Sequence, residues 1–264
     1  MMCSSEIRSN SVPQLIENWR ALRSGAWLIL LVTASLLMPA FAFAEQALTP
    51  HVAEYKIKVS VLSGKLRTEL KSTDIGYSAK SVLKAAGIAS WFVRGDVTES
   101  AEFSIMADGV RPLTFSSVDK VSKEDKFMDF SFDWEQMQVA GKINNNDFVL
   151  DLDGRTHDRV SLQYELMLEL MNDRRSDEYS LLDDDEFKSL QVTYVGTEEV
   201  KVPHGKYRAI KIQHRKEKSD RVTTLWCAEE LDFLPVKIEQ HRDGKLAVRA
   251  VLSKYEPTGD GSTI

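Results

Sequence analysis

After residue 52 apolar and polar side chains take turns along the chain. Tyr55, Ile57, Val59 and Val61 are separated by Lys56, Lys58 and Ser60. Leu66, Thr68 and Leu70 then repeat the rhythm beyond Ser63-Gly64. Successive residues of a strand point to opposite faces, so a two-residue period marks strands with one face buried and the other wet. A surface helix needs its apolar residues three or four apart, which this pattern does not offer. The first two runs, broken at Ser63-Gly64, are expected to form a hairpin.

The same reading continues. Residues 75–82 predict a third strand, and 85–92 a short apolar turn of helix. Strands are expected over 97–106 and, after the turn Ala107-Asp108-Gly109, through Leu113 and Phe115. Met128, Phe130, Phe132 and Trp134 share one parity, while Asp129, Ser131 and Asp133 share the other. A strand over 137–143 leads through three asparagines to Phe148, Leu150 and Leu152, with Asp153-Gly154 as the closing turn. Further strands are expected over 190–196, 206–214, 222–228, 234–242 and 246–255.

One stretch breaks the pattern. Ser161 to Met171, SLQYELMLELM, is rich in strong helix formers and does not alternate. Asp158 or Ser161 is placed to cap its start, and Asn172-Asp173 to stop it. Its apolar residues nearly encircle it, so it should be buried on more than one side, against the concave face of a curved sheet. The fold class that follows is mainly β: a curved antiparallel sheet, as an incomplete barrel or sandwich, with one buried helix.

The chain begins differently. Residues 25–44 are uncharged, follow Arg20 and Arg23, and end in Ala42-Phe43-Ala44 before Glu45. A basic flank, an apolar core and small residues at the −3 and −1 positions make a cleavable signal peptide, with residues 1–24 as its n-region. Cleavage is expected after Ala44, leaving a single domain over 45–255 and a Gly-, Ser- and Pro-rich tail over 256–264. Three arginines and two glutamates leave with the signal, taking the net charge from −6 to −7. The alternative is an uncleaved inner-membrane anchor, because twenty residues also suffice to span a bilayer. Either way the domain is expected outside the cytoplasm, in the periplasm. Membrane contact is expected only through this segment, if it is retained. Cys3 precedes the apolar stretch and so is no lipidation site. Cys227 is left without a partner and reads as a small strand residue.

The short motifs GVRPL (109–113) with Phe115, DRVSLQ (158–163), VPHGKY (202–207), TTLW (223–226) and LPVKI (234–238) recur in one order across nearly the whole mature chain. In these the chain resembles the domain of unknown function 3108 family of bacterial exported proteins. The resemblance implies a β-rich envelope protein and brings no reaction with it. In shape, a long sheet wrapping a helix is also similar to the lipoprotein-carrier class of unclosed periplasmic barrels.

Chemistry is sparse. A net charge of −6 argues against nucleic acid as a partner, for want of cations to neutralise phosphates. The acidic run 183–186 lacks the alternation and glycine of a calcium loop and reads as a solvated loop. Asp151, Asp153, His157 and Asp158 are accounted for as a turn and a helix cap. The five histidines form no zinc-binding pair, and His214 shares parity with Ile210 and Ile212, facing inward. No catalytic, metal or cofactor residue is assigned. Met128, Phe130, Phe132, Trp134 and Trp226 are the candidates for lining an apolar ligand site. Trp91 and Phe92 join them on a loop placed as a lid or a membrane-touching edge. The expected function is a non-catalytic binding or carrier protein for an apolar small molecule or lipid. The alternatives are an assembly factor for another envelope protein and an enzyme acting on a cell-wall polymer.

Overall fold

The structure, a computed structural model, describes residues 47–91, 95–122, 124–217 and 219–259. The signal segment, its cleavage site at Ala44 and Phe92 lie outside the described residues. The first eight strands are β1 (His51–Val59), β2 (Leu62–Thr73), β3 (Gly76–Ala86), β4 (Asp96–Met106), β5 (Gly109–Asp119), β6 (Lys126–Asp133), β7 (Gln138–Ile143) and β8 (Asn146–Asp151). Then come the two-residue β9 (Thr156–His157) and the helix α1 (Ser161–Met171). The remaining strands are β10 (Glu178–Asp183), β11 (Glu186–Lys201), β12 (Lys206–Lys216), β13 (Arg221–Ala228), β14 (Leu234–Arg242) and β15 (Lys245–Pro257).

All the strands join one sheet in the order β8-β7-β6-β5-β4-β3-β2-β1-β15-β14-β13-β12-β11-β10-β9. The chain starts in the middle of the sheet, winds out to one edge, crosses to the other and winds back. β1 and β15 close this path by pairing antiparallel over the length of β1. The ladder stays open between β8 and β9, the two edges. Side chains span that gap instead. Leu182 of β10 packs with Phe115, Met128, Phe130, Phe132 and Val139 of β5–β7, and Lys126 of β6 pairs with Asp184 at 2.5 Å. Bulges at Glu54/Tyr55, Glu102/Phe103, Tyr194/Gly196, Trp226/Cys227 and Gln240/His241 add the bends that such a curl requires.

The expected curved sheet with one buried helix is what forms. Nine of the eleven residues of α1 are buried. Tyr164, Met167 and Leu168 join the largest core cluster, with Tyr55, Phe103 and Trp226. Leu162, Leu166 and Leu170 join a second, with Leu181, Leu190, Ile212 and Leu225. The helix begins where expected, because the Asp158 carboxylate accepts from the backbone N–H groups of Val160 (2.7 Å) and Ser161 (2.9 Å). Among the described residues no helix is long and apolar enough to cross a membrane.

Three local expectations need correction. The first hairpin turns at Ser60-Val61, with Ser60 at φ 53°, and not at Ser63-Gly64. Gly64 lies inside β2, paired to Ile57 and Ala85, where an added Cβ would stand 3.0 Å from the Lys84 carbonyl oxygen. That glycine serves close strand approach rather than a turn. β9 and β10 were not legible, the first being two residues long and the second lacking alternation. The acidic run is only partly a loop: Asp183 sits on β10, half-buried beside Lys188 (3.1 Å) and Lys216.

Candidate functional site

A cavity of about 840 Å3 lies between α1 and the wall formed by β10–β14. Its volume falls in the roughly 300–1,000 Å3 range of small-molecule sites. Leu162 and Leu166 of the helix and Leu181, Leu190, Leu225 and Ile238 of the sheet make its apolar wall. Alternation on β13 explains the choice of residues, since Arg221, Thr223 and Leu225 share a parity and all line the cavity.

Charge gathers around it. Four lining carboxylates are each beside a cation: Glu99 with Arg159 (2.8 Å), Asp183 with Lys216, Asp184 with Lys126, and Asp220 with Arg242 (3.6 Å). Partial burial works against ionisation of Asp183, yet hydrogen bonds from Lys216 and Lys188 hold its carboxyl below the usual range. Two further lining residues, Arg215 and Arg221, face no carboxylate in any ion pair among the described residues. The cavity therefore keeps two uncompensated positive charges at an otherwise neutral border. His214 also lines it, and burial, helped by Lys216, pushes its pKa down to about 4. Its imidazole is neutral at neutral pH. Such an arrangement can hold a mostly apolar molecule and offers hydrogen bonds and positive charge at its border.

The sequence-derived aromatic candidates sit elsewhere. Met128, Phe130 and Phe132 are packed solidly with Phe115, Val139 and Leu152, the Phe115 and Phe130 rings stacked at 4.9 Å. Trp134 stacks on Phe132, donates its indole N–H to the Pro112 carbonyl (2.7 Å) and lies beneath Arg111. Trp226 has the opposite parity from Thr223 and Leu225. Lys237 (3.9 Å) and Lys211 (5.2 Å) cover its ring, and its N–H is bonded to Glu198. None of these five lines the large cavity. Trp91 ends a 3-10 turn, Gly87–Trp91, after β3, and its side chain is not described. The two sets differ because bulky rings fill space, whereas the cavity is bounded by medium aliphatics next to charges.

A second polar cluster was not foreseen. Glu165 and Glu169 lie one turn apart on α1, both buried. Glu165 accepts from the Val110 backbone N–H at 2.5 Å and pairs with Arg155, which reaches it from solvent. Burial raises its pKa against both partners. Glu169 accepts from Tyr179 and from Ser176, whose hydroxyl lies at 2.7 Å. His157, buried beside Tyr179, is pushed down to about 3 by desolvation and by Arg155. The cluster ties α1 to the start of β5 and to the region around β9 and β10. The one sequence signal for it was a pair of glutamates inside an otherwise all-round apolar helix. Asp151 and Asp153 are exposed and do not join it, and among the described residues no three metal-ligating side chains converge.

The family match settles the relationship. The profile described as "Protein of unknown function (DUF3108)" matches residues 52–246. The chain belongs to the DUF3108 family. Three of the motifs have a structural role in this member: the Val110 N–H donates to Glu165, Asp158 caps the helix, and Val202 and Gly205 close a turn through reciprocal backbone bonds (2.9 and 3.2 Å). Among solved structures, this chain is similar in fold to a beta-barrel-like protein of domain of unknown function DUF1849 from Brucella abortus. The TM-score is 0.56 at 15% identity, covering 81% of this chain and 100% of that one. No curated protein matches the chain.

Proposed function

We propose that this DUF3108 protein is an exported, non-catalytic binding or carrier protein whose ligand is largely apolar and occupies the cavity between α1 and β10–β14. The observation that carries the reading is that cavity: about 840 Å3, walled by leucines, inside a sheet that curls without closing its ladder. The ring of paired charges around it favours binding over acid–base chemistry, because each lining carboxylate already has a cation beside it. Export rests on the 25–44 segment and its Ala-Phe-Ala ending. The test is uptake of a fluorescent acyl probe by delipidated protein. Saturable uptake at one site is expected, and absence of uptake across acyl, sterol and neutral aromatic probes contradicts the reading.

A second reading has one observation in its favour. β8 is an edge strand with Val149 61% exposed, and an unpaired edge can accept a strand from a partner protein. Asp147 and Asp151 on the same strand work against indiscriminate pairing. Crosslinking through position 149 in cells would recover a defined partner under this reading.

A further inference from the structure

We infer that the cavity selects an amphiphile with an anionic head group, and that Arg221 and Arg242, aided by Arg215, form its head-group site. This rests on the proposal that the cavity takes an apolar ligand, and adds which chemical class of ligand it is.

Arg221 and Arg242 stand directly opposite each other on β13 and β14. Like charges in directly opposed cross-strand positions repel, and nothing in sheet formation recommends the pairing. Both side chains line the cavity and both residues are exposed, as is Arg215. One carboxylate, Asp220, stands near them, 3.6 Å from the Arg242 Nε. That contact is long for an ion pair and leaves the Arg221 and Arg215 guanidiniums facing no carboxylate. Every other cation at the border is matched. The excess charge is thus concentrated at one end of the cavity, where β12, β13 and β14 meet the solvent.

The apolar wall begins four residues inward on the same strands. On β13 the cavity-facing order is Arg221, Thr223, Leu225, and on β14 it is Arg242, Gln240, Ile238. Each strand therefore grades from guanidinium through a neutral polar group to an aliphatic side chain. A strand advances about 3.3 Å per residue, so the change from charge to hydrocarbon occupies about 13 Å. That gradient matches a molecule with an anion at one end and a hydrocarbon chain at the other. Guanidinium groups suit carboxylate and phosphate alike, through paired N–H donors in a planar fork. His214, neutral and alongside, adds a hydrogen-bonding group without adding charge.

The experiment displaces a bound neutral fluorescent probe from the chain as purified from cells. The competitors are dodecanoate, dodecyl phosphate and dodecanol, and the variants are Arg221→Ala/Arg242→Ala and the exposed control Lys56→Ala. We expect both anions to compete about ten-fold more strongly than the alcohol. That preference should shrink at high salt and vanish in the double arginine variant, which still binds dodecanol. Lys56→Ala should behave as the parent does. Carboxylate and phosphate arms that differ from one another identify which anion the site prefers. Equal competition by all three in the parent chain overturns the head-group site and leaves the apolar reading standing. Failure of the neutral probe to bind the parent overturns the apolar reading itself.

Discussion

Gly109 holds φ at 138°, and a Cβ there would meet Arg155 and stand 2.6 Å from a Glu165 oxygen. The backbone approaches the helix this closely because Val110 donates to Glu165. Gly109→Ala is therefore expected to lower the unfolding free energy by about 2–4 kcal/mol, read from the midpoint of a urea titration. A loss under about half a kcal/mol would show that the Val110–Glu165–Arg155 contact is not rigid. A pH dependence follows from the buried imidazoles. Burial lowers the pKa of His157 to about 3, of His214 to about 4, and that of His51 in the same direction. The unfolded chain takes up these protons near pH 6.5, so stability is full above that value and is lost as pH falls towards 4 and then 3. Asp158, raised to about 6 by burial, and Glu165, also raised, act in the opposite direction. The imidazoles act together with Glu169 and Asp183, whose carboxyls, despite burial, are held below the usual range by hydrogen bonds, and the balance is a net loss. The thermal midpoint should be lower at about pH 4.5 than at about pH 7. Resonances of His157 and His214 titrating near 6.5 in the folded protein would contradict this.

At the level of elements, α1 supports two core clusters at once, so it cannot be weakened on one face without loosening the other. Leu168→Ala is expected to cost about 2–5 kcal/mol. Loss of helical circular dichroism in step with sheet signal would confirm that the helix and sheet unfold together. Both the helix and most strands were legible in the sequence, since each follows from a period that side-chain direction imposes. What was not legible is instructive. The turn was assigned to Ser63-Gly64 because glycine is the usual turn residue, while Ser60 supplies the positive φ in its place. β10 was missed because Leu181 and Leu182 are both buried, which erases the alternation, and β9 because it is two residues long. The aromatic candidates were chosen for size and parity, and parity alone cannot say whether a buried ring fills a core or borders a space. The cavity wall joins Leu162, Leu166, Leu181, Leu190, Leu225 and Ile238 from five elements. Only the curl of the sheet brings these together.

For the molecule as a whole, the arrangement of ends decides stability. β15 is not a terminal edge but lies between β1 and β14, so removing residues from 245 onward would open two ladders in the middle of the sheet. Such a truncation is expected to abolish cooperative unfolding. A truncation after Thr258, which leaves β15 whole, should have no effect. Among the described residues, side chains and no ladder of backbone bonds bridge the open seam between β8 and β9. The leucine-walled space is proposed above as the binding site of the working protein. The test is native mass spectrometry of the chain purified gently from its cells, compared with a Leu225→Trp variant that fills the space. A stoichiometric small molecule with a hydrocarbon chain is expected on the parent, and its loss from the variant. A parent that is bare at every stage of purification, or a variant that carries the same molecule in the same amount, would contradict it.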